Sequence, residues 1–178
     1  APIDLVEKRL LPALTQVGDG YEAGTLFLPQ LLMSAEAAQG AFALVQQALG
    51  KKSTGMRRQG RIALATVEGD IHDIGKNIVK VLLESYGFEV VDLGKNVKPE
   101  QVLAAVQAEK LHMVGLSALM TTTVPAMERT IALLRREAPD CRVVVGGAVL
   151  TPELAAAIGA HAYARDAMDT VRFARENA

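Results

Sequence analysis

Residues 69–75, Gly-Asp-Ile-His-Asp-Ile-Gly, hold the most specific chemistry in the chain. His72 stands two residues after Asp70, a spacing that lets a carboxylate hold one imidazole nitrogen while the other turns outward as a metal ligand. Such an arrangement fixes tautomer and ring direction and raises donor strength. Alone, such a pair is more often a turn at a helix entry, so ligation follows only if other residues converge on it. Two further stretches qualify. Ser117-Ala-Leu119-Met-Thr121-Thr-Thr123 offers hydroxyls without charge, and Gly146-Gly147 allows a flat group to approach the backbone. Neither a Gly-x-x-x-x-Gly-Lys-Thr loop nor Gly-x-Gly-x-x-Gly is present, which argues against a phosphate cradle. A receiver-type phosphoacceptor would need an aspartate where Ser117 stands.

These residues must be positioned by elements with legible periods. Runs rich in β-branched residues at 62–67, 90–93, 113–116 and 143–145 are each followed by a helical pattern. A weaker fifth strand, 161–163, precedes a closing helix from about residue 167. Pro99, Pro125 and Pro152 open helices, Thr151 and Asp166 suit N-caps, and Gly87 ends the first helix of the series. The pattern predicts an α/β fold: a flavodoxin-like, doubly wound, five-stranded parallel sheet of order 2-1-3-4-5, preceded by a partial all-α helical cap. In that order ligands settle beyond the carboxyl ends of the strands, so all three loops converge on one crevice.

Upstream the signal is helical throughout. Leu5 or Val6, Leu10, Leu14 and Val17 recur at helical spacing; Pro12 is expected to kink this helix and Gly18-Asp19-Gly20 to stop it. A longer helix over about 29–49 carries Leu31, Leu32, Ala35, Phe42, Val45 and Leu49 on one face and Met33, Ala37, Ala41 and Leu44 on another. Two apolar faces predict a member of a bundle interior, or else a second face that covers a large flat ligand. The polar stretch 50–55 divides a helical part, 1–54, from an α/β domain, 60–178. Opening at Ala1-Pro2 without a methionine, the chain reads as cut from something larger.

Composition excludes several classes. Half of the 178 residues are apolar and the formal net charge is −1, enough for one ordinary core plus a small appendage. No basic stripe offers a landing site for nucleic acid. No apolar run reaches membrane length and no signal peptide is visible, so a cytoplasmic protein without membrane contact is expected. Cys141, the sole cysteine, precludes an internal disulfide and reads as a buried strand residue. His112 and His161 read as structural, and Lys76 and Asn77 as surface.

Asp70-x-His72-x-x-Gly75, Ser117-x-Leu119 and Gly146-Gly147, in this order over one α/β domain, resemble the signature of cobalamin-binding domains that hold the cofactor base-off/His-on. Phe27-Leu28-Pro29-Gln30 and Ser34-Ala35 resemble the helical cap of cobalamin-dependent methionine synthase and related corrinoid methyl carriers, so the resemblance spans almost the whole chain. That cap has four helices, of which this chain would hold about the last half. The resemblance implies that His72 replaces dimethylbenzimidazole as the lower cobalt ligand and that Asp70 accepts a hydrogen bond from its other nitrogen. Thr123 would complete the relay where methionine synthase has serine. Gly69, Ile71, Asp73 and Gly75 belong to the ligand loop, with Leu119 in the second motif. Ser117 and Thr121 would line the channel for the displaced nucleotide tail, and Gly146 and Gly147 would let the benzimidazole pass between sheet and helix. Tyr21 and Leu28 match residues over the upper face, with tyrosine for phenylalanine; Glu7 matches a cap carboxylate and Ala167 the helix against the corrin rim.

The function implied is that of a methyl-carrier module of methionine synthase, with cobalt alternating between cob(I)alamin and methylcobalamin. The methyl would pass from methyltetrahydrofolate to homocysteine, each held by a partner methyltransferase domain, and the fragment alone would not turn over. The alternatives are a stand-alone corrinoid shuttle for methanol, methylamine or aryl methyl ethers, and a cobalamin-dependent light-sensing regulator. A mutase small subunit lacks such a cap.

Overall fold

The computed structural model describes residues 5–49 and 59–178; the predicted divider at 50–55 lies outside them. The β-branched runs form β1 (Arg61–Val67), β2 (Glu89–Val97), β3 (Met113–Ser117), β4 (Arg142–Gly146) and β5 (Ala162–Ala164). All neighbours pair in parallel, in the order β2-β1-β3-β4-β5, as the sequence predicts. From Ile62 to Val67 every residue of β1 is buried, because helices cover both faces of a parallel sheet. β2 runs four residues past its predicted end. Its pairing with β1 shifts register at Gly94, where φ is +85°, so the strand end over Gly94-Lys95-Asn96 is irregular.

The helices are α1 (Leu11–Glu22), α2 (Leu28–Leu49), α3 (Ile74–Ser85), α4 (Pro99–Glu109), α5 (Val124–Glu137), α6 (Pro152–Ala157) and α7 (Ala167–Asn177). Predicted caps are in place: Leu154 N–H donates to Thr151 Oγ1 at 3.2 Å and Asp169 N–H to Asp166 Oδ1 at 3.0 Å. Gly87, at φ +87°, follows the end of α3. One core lies under α1, α2, α3 and α7 and includes Leu64 and Val144; the other lies under α4, α5 and α6 and includes Ala63, Ala65, Val143 and Val145. Alternate strand residues thus serve opposite layers.

The helical segment departs from expectation at one place. At Pro12 the α-helical pattern is interrupted as expected, the proline sitting in the first turn of α1 directly after a π-wound turn over Val6–Leu10. Gly18-Asp19-Gly20 does not end the helix, which continues to Glu22. Gly18 is there for packing: a Cβ on it would lie 2.6 Å from Met168 Cε and 3.1 Å from Tyr86 Oη. Close approach to α3 and α7 outweighs the intrinsic cost of a mid-helix glycine. Nearby, the Tyr86 hydroxyl donates to the Leu14 carbonyl at 2.7 Å, and burial pushes its pKa up to about 12. Tyr86→Phe is expected to lower stability by about 1 kcal/mol in urea-induced unfolding; an unchanged midpoint would show that this bond does not contribute to holding α1 on the domain.

Candidate functional site

β1 delivers the chain to Gly69, whose φ of +86° suits glycine, and the turn places Asp70 beneath the crevice floor. Asn96, at the irregular end of β2, fixes this turn. Its Oδ1 accepts from Gly69 N–H at 2.8 Å and its own N–H donates to the Asp70 carbonyl at 2.9 Å. Asn96 has φ +53°, a conformation that a short polar side chain tolerates. Sequence reasoning missed it; the signal was a Gly-x-Asn at the end of the strand beside β1.

Asp70 is fully buried and its carboxylate accepts four hydrogen bonds. Oδ1 takes the His72 N–H at 3.0 Å and sits 2.8 Å from His72 Nδ1; Oδ2 takes the Leu119 N–H at 2.7 Å and the Thr123 hydroxyl at 3.1 Å. Burial works to raise its pKa, but the amides of Leu119 and His72, the imidazole and the Thr123 hydroxyl outweigh it and bring the value down to about 2. An ionised Asp70 requires the proton on His72 Nδ1. In the neutral imidazole Nε2 then carries the lone pair, and it has no protein partner among the described residues. The His72 side chain is 47% exposed and lines the crevice.

Depression of the Asp70 pKa carries a pH signature. Its bonds stabilise the fold above the ordinary value of 3.8 and are lost as pH falls through about 2. Asp70→Asn should therefore flatten the acid limb, removing about 2 kcal/mol of the stability that wild type loses between about pH 4 and pH 2. Parallel acid limbs in urea titrations of the two proteins would contradict this.

The crevice, of about 670 Å³, lies beyond the carboxyl ends of the strands where the order reverses. Ile71, His72, Asp73 and Gly75 line it from the first loop, Ser117 and Leu119 from the second, Gly146 and Gly147 from the third, and Ala167 from α7. Tyr21 and Leu28 close it from the helical segment. Gly69, Asp70 and Thr123 stand behind the lining and reach the crevice only through His72 and Leu119. Around the imidazole, Ile71 and Ile74 are exposed to 63% and 78%, an apolar rim.

Other expected residues fare differently. Thr121 is exposed and outside the lining: it starts the 3₁₀ turn Thr121–Thr123, which points Thr123 inward and Thr121 away. The side chain of Glu7 lies outside the described residues. Met33, Ala37, Ala41 and Leu44 do not line the crevice, and Met33 and Leu44 are 69% and 67% exposed. α2 buries Leu31, Ala35, Ala38 and Val45 instead, so that only its first residue reaches the site. Lys76 is not a surface residue: 4% exposed, its ammonium donates to Asn77 Oδ1 at 2.8 Å and Asp92 Oδ1 at 2.6 Å, bracing α3 against β2. His161 is structural as expected, with Nδ1 accepting from Val143 N–H at 3.0 Å.

Behind the mouth the crevice continues as a slot between the sheet and helices α3 and α7. Strand register aligns Thr66, Ser117, Gly146 and Ala164 in one row and Leu64, Gly115, Val144 and Ala162 in the next row inward. Small side chains in the outer row leave space for a flat group. Its hydroxyls pair with each other, Thr66 Oγ1 to Ser117 Oγ at 2.9 Å. A Cβ on Gly146 would sit 3.2 Å from the Ala164 carbonyl oxygen, and one on Gly147, at φ +138°, 1.9 Å from that of Ala118.

No group of three or more histidine, cysteine, aspartate or glutamate side chains could hold a metal ion among the described residues. One oriented imidazole beside a flat slot instead suits a metal that brings a planar ligand set of its own, and a corrin with a displaced ring tail fits both features.

Comparison with known proteins agrees with this geometry. The B12 binding domain matches residues 60–172, and a second B12 binding domain description matches residues 1–46. Dimethylamine corrinoid protein 1 of Methanosarcina acetivorans is 39% identical over 98% of this chain and 83% of its own length. A cobalamin-binding protein of Desulfitobacterium hafniense superposes with TM-score 0.83 at 32% identity, over 96% of this chain and 80% of that one. The methanol:cobalamin methyltransferase complex of Methanosarcina barkeri also gives TM-score 0.83, at 35% identity over 98% of this chain and 67% of its own. This chain belongs to the B12-binding domain family, and its cofactor is cobalamin.

Proposed function

We propose that this chain is a corrinoid methyl carrier that works with a separate methyltransferase for a methylated amine or methanol, with His72 as the lower cobalt ligand. The observation that carries the reading is the free Nε2 of His72, held toward the crevice by a buried, ionised Asp70. The relatives are named for dimethylamine and methanol rather than for methionine, which favours the stand-alone shuttle over the methionine synthase module expected from the sequence. Folate- and homocysteine-binding partner domains leave the account with that change. The two family matches, over 1–46 and 60–172, support a division into a helical cap ending by 54 and a cobalamin domain from 60.

Bound cobalamin supplies a cobalt centre that accepts a methyl group and releases it to an acceptor. The chain's own residues orient and shield it. Asp70 holds the proton on His72 Nδ1, and Thr123 and the Leu119 amide hold Asp70 in turn, so the donor strength of Nε2 is set from behind the site. Ile71, Ile74 and Leu119 form an apolar rim that excludes water. Tyr21 and Leu28 cover the crevice from the helical segment, which must give way for substrate to enter.

Methyl uptake tests the reading. Protein reconstituted with reduced cobalamin is expected to gain a methyl from dimethylamine or methanol when the matching methyltransferase is added, read as the visible spectrum of the methylated form. Methylation from methyltetrahydrofolate in the presence of a folate-type domain, with none from the amine or alcohol, would return the account to methionine synthase.

A further inference from the structure

β1 and β2 pair residue for residue from Arg61 with Glu89 to Leu64 with Asp92, and then the match breaks twice in succession. β2 takes one extra residue between Asp92 and Gly94 and another between Gly94 and Val97. Each bulge gives up ladder hydrogen bonds and bends the strand, so two so close together call for something that the bend provides. What it provides is Asn96. Outside the ladder and at φ +53°, this residue turns its N–H to the Asp70 carbonyl at 2.9 Å and its Oδ1 to the Gly69 N–H at 2.8 Å. A left-handed backbone on a residue other than glycine is itself costly and points to a site.

The bend is held from α3. Asp92 Oδ1 accepts from Gly94 N–H at 3.0 Å, at the first bulge, and from the Lys76 ammonium at 2.6 Å. Lys76 follows His72 by four residues, on the helix that leaves the ligand loop, and its side chain is only 3% exposed. Lys76, Asp92, Gly94 and Asn96 thus close a ring from the exit of the loop back to its entry at Gly69 and Asp70. Asp70 is gripped from both neighbouring strands. The loop after β3 holds its carboxylate through the Leu119 N–H and the Thr123 hydroxyl, and the end of β2 holds its main chain. With both ends of the residue fixed, so is the direction of Oδ1 and of the His72 ring 2.8 Å from it.

We propose that Asn96 is a positioning residue for His72, and that the doubly bulged end of β2 serves to place it. The inference rests on His72 as the lower cobalt ligand. Asn96 is exposed and outside the crevice lining, so it acts on the imidazole only through Gly69 and Asp70. Loss of a partner that orients a ligand from behind costs roughly tenfold or more in metal affinity.

Cobalamin titrated into four proteins tests this: wild type, Asn96→Gly, His72→Ala and the variant with both changes. Glycine accepts the left-handed backbone and keeps the N–H bond to Asp70, so that Asn96→Gly removes only the side-chain acceptor for Gly69. The expected loss of affinity is about tenfold where His72 is present and less than about twofold where it is alanine. Asn96→Asp, which keeps an acceptor oxygen and tolerates the left-handed backbone, should bind to within about threefold of wild type. At saturating cobalamin, the visible spectrum of Asn96→Gly should also show a larger share of cobalt without histidine than wild type does. A loss of the same size with and without His72 would make Asn96 a support of the fold and overturn the proposal, as would no loss in either background or no recovery in Asn96→Asp. His72→Ala binding cobalamin as tightly as wild type, with an unchanged spectrum, would instead remove the ligand itself, and this proposal would fall with that reading.

Discussion

Replacing His72 by alanine is expected to remove the imidazole from the bound cobalt entirely while leaving the apoprotein as stable as wild type to within about 0.5 kcal/mol. The side chain is half exposed on a loop and its ring bonds only Asp70. Without it, Asp70 keeps the Leu119 amide, the Thr123 hydroxyl and the amide of residue 72 itself, so no buried charge is orphaned. The visible spectrum of the reconstituted variant should be that of cobalamin without a nitrogen ligand below the metal, at pH values where wild type shows one. Identical spectra in the two proteins would remove His72 from the site.

Gly147→Ala is expected to have the opposite profile, costing about 3 kcal/mol or more before any cofactor is added. The new Cβ would lie 1.9 Å from the Ala118 carbonyl oxygen and 3.1 Å from its nitrogen, both main-chain atoms that cannot swing aside. The two loops are also clamped together, since Ala118 N–H donates to the Gly146 carbonyl at 3.2 Å. Relief requires the loop after β3 to part from the loop after β4, which distorts the mouth of the slot as well as the fold. Gly75 provides the contrast: a Cβ there meets nothing within 4 Å and its φ is not in the left-handed region. Gly75→Ala should therefore leave urea unfolding unchanged and weaken only cofactor binding, because the open space beside Gly75 is crevice. Equal destabilisation by the two substitutions would refute the distinction.

The strands, their order and the three loops were legible because each rests on local signals: β-branched runs, prolines in first turns, Thr151 and Asp166 at caps. What escaped depends on contacts distant in sequence. Gly18 and Gly20 look like helix stops until Met168 and Tyr86 are seen to need the space beside Gly18. Lys76 looks like a surface lysine until Asp92, on the neighbouring strand, supplies its counter-charge. Asn96 carries no motif and acts through a left-handed strand end. The methyl donor was illegible for another reason. The Asp70–His72 pair answers to the cofactor, so the same residues suit a methionine synthase module and an amine or methanol carrier.

The central claim is that His72 Nε2 binds the cobalt from below. Protein labelled at histidine with nitrogen-15, reconstituted and reduced to the cobalt(II) state, reports this directly in its paramagnetic resonance spectrum. The account predicts that the nitrogen triplet on the cobalt lines of unlabelled protein becomes a doublet in the labelled protein. A triplet that survives labelling would mean that the cofactor's own base still holds the metal, and would contradict it.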